Sequence, residues 1–356
     1  MQAPEIYAII MAGGSGTRFW PASRRDRPKQ YLKISGGLPM LAETWSRLGG
    51  LVPPERVLVV TTADQVAEVQ ASLPELPPLN ILAEPEARNT GPCVALAAFE
   101  VAHRSPDSIQ LVLPADHVIR PKEAFHRTVN AAASEANLRG SLIVFGIKPT
   151  WPATGFGYIE AGEVVRDVDG LPVHRVKRFV EKPDPVRAQN FLSEGGFYWN
   201  AGIFVWHTDA ILRAVEKHMP QAHASLSKVK KGADLSEVYR EIPAKSVDVA
   251  ILEQAKNVRM LPVDYFWSDV GSWDALSDVQ EKDANENVTS GGTELIADDA
   301  RDCIVHGDPG EITALIGVSD LIVVHSGNAT LVCHRDRAQD VKRLVERLQA
   351  EGRSFL

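Results

Sequence analysis

The stretch Ile6-Tyr-Ala-Ile-Ile-Met-Ala-Gly-Gly-Ser-Gly-Thr-Arg18, with Pro28-Lys29 shortly after it, decides how this chain is read. Ile6 to Met11 is a continuous apolar run, the pattern of a parallel strand covered on both faces. It runs into the cluster Gly13, Gly14 and Gly16, which ends in a cation. A loop poor in Cβ atoms can turn several N–H groups toward one anion, and Arg18 adds a fixed positive fork beside them. The chemistry this favours is phosphate binding. Two better-known glycine loops fit less well. A P-loop needs Lys followed by Ser or Thr after its last glycine, and a dinucleotide fingerprint needs a third glycine where Phe19 stands. A tight turn without a ligand explains the glycines but not Arg18, Pro28 and Lys29.

Outward from that loop, strand and helix patterns alternate. Strands are expected at Ile6–Met11, Val57–Thr61, Asn80–Ala83, Gln110–Leu113 and Leu142–Gly146, with helices at Leu38–Leu48, Asp64–Ser72, Pro92–Ala102 and Lys122–Leu138. Asp64 can cap its helix, and Thr90 or Gly91 precedes a helix with Pro92 near its first turn. Repeated βα units with short connections imply an α/β fold with a parallel, doubly wound sheet. Ligands bind such sheets beyond the carboxyl ends of the strands, so the glycine loop and Asp116 project into one crevice. From Gly155 to about Val263 extended segments and Gly-rich turns take over, read as a second half of the same domain. Beyond about Asn285 come short apolar strands and a helix, Arg337–Leu348, with Val341, Leu344, Val345 and Leu348 on one face. The expected division is therefore 1–284 and 285–356.

At 356 residues, one large domain plus a smaller one is the prior. The net charge of −8 argues against bulk nucleic-acid or anionic-membrane binding. Against that background Arg24-Arg25-Asp26-Arg27-Pro28-Lys29 is a local basic run, either a solvated loop or a rim that receives a triphosphate. Cys93, Cys303 and Cys333 are far apart with no Cys-x-x-Cys pair, which suits a reducing compartment and no structural zinc. The first apolar run ends in the glycine loop, so it reads as a strand and not a signal peptide, and no stretch approaches the roughly 20 apolar residues of a membrane span. The expectation is a cytoplasmic protein.

Several segments carry polar groups suited to chemistry. Asp116, in Pro114-Ala115-Asp116-His117, stands just past a buried strand, where a carboxylate can serve a ligand, a cap or a turn. Trp267-Ser-Asp269-Val-Gly-Ser-Trp273 supplies a second carboxylate, either a ligand or the cap of a helix at Ser272–Val279. Mg²⁺ commonly takes one or two carboxylates plus substrate phosphates and water, a role Asp116 and Asp269 suit. His117 reads as a supporting residue, since a phosphate dianion is already ionised at neutral pH and needs no general base. Glu84-Pro-Glu-Ala-Arg88-Asn89-Thr90-Gly91-Pro92 places Arg88 and Asn89 before a helix start, either for a nucleotide or as a cap. Thr154-Gly-Phe-Gly157-Tyr-Ile-Glu160, Phe179-Val-Glu181-Lys182-Pro183 and Tyr198-Trp-Asn200-Ala-Gly202 offer a glycine, an acid, a base and an amide. Taken singly, these are a hairpin turn, an ion pair and a strand entry.

Met11-Ala-Gly-Gly-Ser-Gly-Thr-Arg-Phe-Trp-Pro-Ala-Ser-Arg24 with Pro28-Lys-Gln-Tyr-Leu32 resembles the opening of the sugar-phosphate nucleotidylyltransferases. Trp20-Pro21-Ala22-Ser23-Arg24, Gln30 and the Arg88-Asn89-Thr90 string are similar to the mannose-1-phosphate guanylyltransferase branch, and the matching motifs extend to about residue 275. The resemblance implies a Rossmann-like, mixed and parallel nucleotide-diphospho-sugar transferase fold with a β-helix-like tail. At this length it implies the form lacking the phosphomannose isomerase domain of some relatives. It further implies GDP-mannose and pyrophosphate made from GTP and mannose 1-phosphate with Mg²⁺ on Asp116 and Asp269. Arg18 and Lys29 would act on the triphosphate, Ala12, Gly13, Gly14, Gly16, Thr17, Arg88 and Asn89 would bind nucleotide, and Gly157, Glu181, Lys182 and Asn200 would bind the sugar phosphate. Exposed apolar strands and the tail could support a homodimer. The alternatives are a glucose-1-phosphate thymidylyl- or uridylyltransferase and a non-catalytic sensor of GDP-mannose. The second of these could dispense with Arg18, Lys29 or a metal carboxylate, and all are present.

Overall fold

The computed structural model describes residues 5–353 apart from Ser15, Arg139 and Lys230. Ser15 of the glycine loop and the outermost residues of both expected domains therefore lie outside the described residues. Four strands, Ile6–Met11 (β1), Val57–Thr62 (β2), Ile81–Glu84 (β3) and Ile109–Pro114 (β4), run parallel in the order β3-β2-β1-β4. Their alternate residues feed two cores. Ala8, Ile10, Leu111 and Leu113 pack on one face, and Tyr7, Ile9 and Val112 on the other. Helices 40–48 and 122–136 cover the first face, and helices 90–104 and 208–218 the second. Burial on both faces is what these mainly apolar runs require.

The sheet continues through less regular strands. Val118–Arg120 (β5) pairs outside it with a later short strand. Leu142–Ile147 (β6), Tyr158–Val168 (β7), Leu171–Val180 (β8), Phe197–His207 (β9) and Val258–Pro262 (β10) complete nine strands in the order β3-β2-β1-β4-β9-β6-β10-β8-β7. β9 inserts antiparallel between β4 and β6, with Ala201, Ile203 and Val205 in one core and Phe204 and Trp206 in the other. Because β9 runs the other way, its beginning lies beside the carboxyl ends of β4 and β6, where Gly146 pairs with Asn200. The open end of the β7–β8 hairpin joins the same edge, with Tyr158 opposite both Val180 and Trp199. The fold is thus mixed, and the loops after β1, β3 and β4 lie at the same end of the sheet as the beginning of β9 and the open end of the β7–β8 hairpin.

After Phe266–Ser268 (β11), which pairs with β5, a β-rich unit follows. Val288–Ser290 (β12), Ile304–His306 (β14) and Leu321–Ser326 (β16) stack in parallel, with Val288, Ile304 and Ile322 in register. Glu294–Asp298 (β13) and Ile312–Ile316 (β15) form a second parallel pair, and Ala329–His334 (β17) folds back on β16. The terminal α-helix spans Val341–Ala350 and buries Val341 and Val345, while Leu344 stays 36% exposed at the margin. Local expectations shift in two places. Asp64 lies within a 3-10 turn (Ala63–Gln65) and caps nothing, and the helix expected at Pro92–Ala102 starts at Thr90, so Thr90 and Gly91 are inside it.

Candidate active site

The glycine loop leaves β1 and is pinned from below. The Ala12 carbonyl accepts from Gln30 Nε2 and Thr61 Oγ1, both at 3.0 Å, and the Gly16 carbonyl accepts from Ser23 Oγ at 2.7 Å. Gly16 has φ +58°, and a Cβ there would overlap Lys29, so this position requires glycine. Gly13 and Gly14 are exposed, and among the described residues none beyond its chain neighbours comes within 4 Å of where a Gly14 Cβ would stand. Both line one of the two cavities of the site.

Two adjoining cavities share Gly16, Lys29 and Asp116. The first, of about 260 Å³, is lined by the glycine loop, Gln30, Glu84, Arg88, Asn89, Thr90 and Cys93. The second, of about 270 Å³, is lined by Thr17, Arg18, His117, Asp269 and Gly271. Arg18 is exposed here, whereas Lys29 is 5% exposed and bound within the protein. Lys29 Nζ lies 2.8 Å from Asp116 Oδ2 and 2.8 Å from the Asp269 carbonyl oxygen. Burial pushes the Asp116 carboxyl up, but Lys29 and His117 outweigh it and hold the group below its ordinary value. Burial raises Asp269, against Lys29 and reinforced by Asp116. Two neighbouring carboxylates that repel each other, facing a polar cleft, form a hard-oxygen donor set that a divalent cation would relieve. Among the described residues no group of three or more His, Cys, Asp or Glu forms a metal cage. The donor set therefore fits an ion that takes its remaining oxygens from phosphates and water. His117, pulled down to about 4 by burial, is neutral near pH 7 and accepts at Nδ1 from Trp267 Nε1 at 3.2 Å.

Arg88 and Asn89 line the first cavity but also serve the protein. Arg88 pairs with Glu86 at 2.7 Å and donates to the Ile242 carbonyl at 2.7 Å, and Asn89 caps its helix by accepting from Thr90 N at 2.8 Å. Arg24 turns away from the cleft toward the C-terminal unit, donating to the Ser326 carbonyl and to Asn328 at 3.4 Å, so at this residue the basic run is a domain contact and not a phosphate rim. Sequence reasoning missed Glu84. It stands at the end of β3, accepts from Tyr239 OH at 2.5 Å and lines the first cavity below Gly13. Burial raises its carboxyl to about 7. Its position at a strand end was a usable signal.

Gly157, Glu181 and Asn200 converge. Asn200 N donates to the Gly157 carbonyl at 2.8 Å, and a Cβ on Gly157 would stand 2.6 Å from Glu181 Oε2. Lys182, 63% exposed, pairs with Glu181 at 3.0 Å. A second missed residue, Asp248, accepts from Asn200 Nδ2 at 2.9 Å, and Glu253 accepts from Glu181 N at 3.1 Å. Both lie in or beside a π-helical turn, Asp248–Leu252, a rarity that often marks functional sites. The segment before it also touches the start of the helix after Asn89, since the Lys245 carbonyl accepts from Gly91 N and Val247 N donates to Thr90 Oγ1, both at 3.0 Å.

The Nucleotidyl transferase family model matches residues 7–286, and the MannoseP isomerase/GMP-like beta-helix domain model matches residues 293–348. The Alginate biosynthesis protein AlgA of Pseudomonas aeruginosa is 37% identical over 97% of this chain and 73% of its own length. A mannose-1-phosphate guanylyltransferase of Escherichia coli is 39% identical over 98% of this chain and 75% of its own. A crystal structure from Thermus thermophilus, named a mannose-1-phosphate geranyltransferase, superposes with a TM-score of 0.88 at 35% identity, covering 97% of this chain and 99% of that one. With a family model spanning most of its length and relatives this similar from end to end, the chain belongs to the nucleotidyl transferase family, among its mannose-1-phosphate guanylyltransferases.

Proposed function

We propose that this protein makes GDP-mannose and pyrophosphate from GTP and mannose 1-phosphate. The observation that carries the reading is the convergence of Arg18, Lys29, Asp116 and Asp269 on one polar cavity that continues into a second cavity floored by Glu84. A carboxylate at the floor repels phosphates, so the base belongs beside Glu84 and the triphosphate runs along the glycine loop into the cavity lined by Arg18 and Lys29. Guanine presents two adjacent donors, N1–H and the 2-amino group, which one carboxylate accepts together; uracil and thymine present one. Glu84 is thereby the residue that reads the base, with Arg88 and Asn89 beside it.

A sugar phosphate oxygen attacks the α-phosphorus in line. The new P–O bond forms as the bond to the β-phosphate oxygen breaks, and pyrophosphate leaves. The nucleophile is already ionised, consistent with a neutral His117 that takes no proton. Asp116 and Asp269 would hold Mg²⁺, which when bound neutralises charge on the α-phosphate. Arg18, Lys29 and the amides of Ala12, Gly13, Gly14, Gly16 and Thr17 stabilise the triphosphate and the departing pyrophosphate. Gly157, Glu181 and Asn200 orient the hexose hydroxyls and Lys182 contacts the phosphate. Residues 1–284 form the catalytic domain and 285–356 the C-terminal one, in a cytoplasmic protein that could form a homodimer.

Pyrophosphate release from purified protein, over a matrix of nucleoside triphosphates and sugar phosphates with Mg²⁺, tests the reading. Turnover restricted to GTP with mannose 1-phosphate, and lost by orders of magnitude in a folded Asp116→Ala variant, is expected. Preference for another nucleotide or sugar, or near-normal Asp116→Ala activity, overturns it.

A further inference from the structure

The C-terminal unit shares one apolar core with both segments that carry charged groups of the cleft. Phe19 beside Arg18 and Val270 beside Asp269 are 1% and 0% exposed. They belong to one cluster with Ile304, Ile322, Val341 and Val345 of the C-terminal unit. Phe19 packs on Trp273 with ring centroids 4.9 Å apart, and Trp273 Nε1 donates to the Trp20 carbonyl at 3.1 Å. Val270 has φ +44°, a left-handed conformation that β-branched residues avoid. It turns the chain between Asp269 and Gly271, both of which line the phosphate cavity. Such a backbone persists where its surroundings over-determine it.

Arg335 supplies that constraint from the C-terminal side. Its Nε donates to Asp274 Oδ1 at 2.7 Å, its Nη2 to Ser277 Oγ at 2.9 Å and its Nη1 to the Asp302 carbonyl at 3.3 Å. An isolated surface ion pair would fix little. A planar guanidinium gripping three acceptors on two structural units fixes the segment that follows Val270 onto the β-rungs.

We propose that Arg335 is a positioning residue for nucleotidyl transfer, holding residues 269–277 so that the Asp269 carboxylate faces the phosphate cleft. The inference rests on the reading of Asp269 as a metal ligand, and it makes the C-terminal unit part of the catalytic apparatus. Arg335→Ala, Arg335→Lys and Asp269→Asn in the full chain test it, with Mn²⁺ as probe ion and its binding in the presence of GDP-mannose followed by electron paramagnetic resonance. Arg335→Ala is expected to weaken Mn²⁺ binding about tenfold, as loss of a group that orients a ligand does, with kcat falling in parallel and KM for mannose 1-phosphate unchanged. Arg335→Lys, which reaches Asp274 but cannot span three acceptors, falls between Arg335→Ala and the wild type. A folded Arg335→Ala protein with a lowered Tm but wild-type Mn²⁺ affinity and kcat overturns the proposal. Should that variant not fold, Asp274→Asn carries the same comparison. Unchanged Mn²⁺ binding in Asp269→Asn overturns instead the metal reading beneath it.

Discussion

The Lys29 ammonium lies 2.8 Å from Asp116 Oδ2, so the cation of the phosphate loop is also the counter-ion of the strand-end carboxylate. Its second bond, to the Asp269 carbonyl, ties in the other carboxylate-bearing segment. Lys29→Met is therefore expected to lower kcat by about 10²–10³, the scale for losing one charge-stabilising donor. It should also destabilise the fold at pH 7 by about 1–3 kcal/mol, less than a fully buried pair because 35% of the Asp116 side chain is exposed. Asp116 titrates below its ordinary value of 3.8 in the fold, so its contribution is present above that pH and is lost as pH falls through the depressed value. Urea unfolding of both proteins from pH 7 to 3 should show the stability gap closing only at the acid end.

Glu84 gives a pH dependence of the opposite sense. Its carboxyl sits at about 7 in the fold against 4.5 ordinarily, chiefly through burial. The folded chain thus holds a proton that the unfolded chain releases, and wild type loses stability relative to Glu84→Gln as pH climbs from 4.5 to 7. With Glu84 reading the base as proposed, binding needs the ionised form, so GDP-mannose, whose own phosphates do not titrate there, should bind more weakly by about tenfold per pH unit below 7. Calorimetric titration at pH 5.5, 6.5 and 8 checks this. In Glu84→Gln the slope disappears, and the preference for GTP over inosine triphosphate, which lacks the 2-amino group, shrinks by about tenfold or more. A persisting slope in the variant would assign the proton to another group.

At Gly16 the prediction concerns geometry alone. A Cβ there both strains a φ of +58° and displaces Lys29. Gly16→Ala should cost about 1–3 kcal/mol in stability and lower kcat about as much as Lys29→Met. Gly14→Ala, with open space around its Cβ position, should leave stability unchanged while weakening GTP binding. Thermal melts alongside KM for GTP separate the two positions.

The parts of this molecule that were legible in sequence are those fixed by local pattern. β1, β2, β4 and β6 are mainly apolar runs, and their expected ends agree with the observed ones to within a residue. β9 could be read as a strand but not placed, because its insertion between β4 and β6 depends on pairing with residues far earlier in the chain. The C-terminal strands were visible singly, yet the unequal spacing of Val288, Ile304 and Ile322 hid the rungs they form. Lys29 could be named but not aimed, since its direction follows from the contact of Lys29 with Gly16 and the burial of Phe19. Arg24 and Asn89 illustrate the converse: a basic run and a polar string carry no information on whether a side chain serves a ligand or its own fold. Asp248 escaped because its partner Asn200 lies on β9, 48 residues earlier in the chain.

That last pair leads to a prediction on the sugar side. Asp248 is held near 7 by burial and by Glu181 nearby, and its Oδ1 accepts from Asn200 Nδ2 while Asn200 Oδ1 accepts from Gly202 N. These two bonds fix which way the Asn200 amide faces and leave one N–H for a hydroxyl. A bond to an ionised carboxylate is worth about 1 kcal/mol more than one to its neutral acid. KM for mannose 1-phosphate should therefore fall about fivefold as pH rises through 7, beyond what ionisation of the substrate itself contributes, while KM for GTP follows Glu84 and the ionisation of its own terminal phosphate. Asp248→Asn removes that component, so the ratio of variant to wild-type KM for the sugar phosphate should change between pH 6 and 8, and the corresponding ratio for GTP should not. The two carboxylates titrate in the same range but on different substrates, so steady-state kinetics with each substrate varied in turn resolves them. A flat ratio for mannose 1-phosphate would mean that Asp248 does not set the Asn200 amide through its charge.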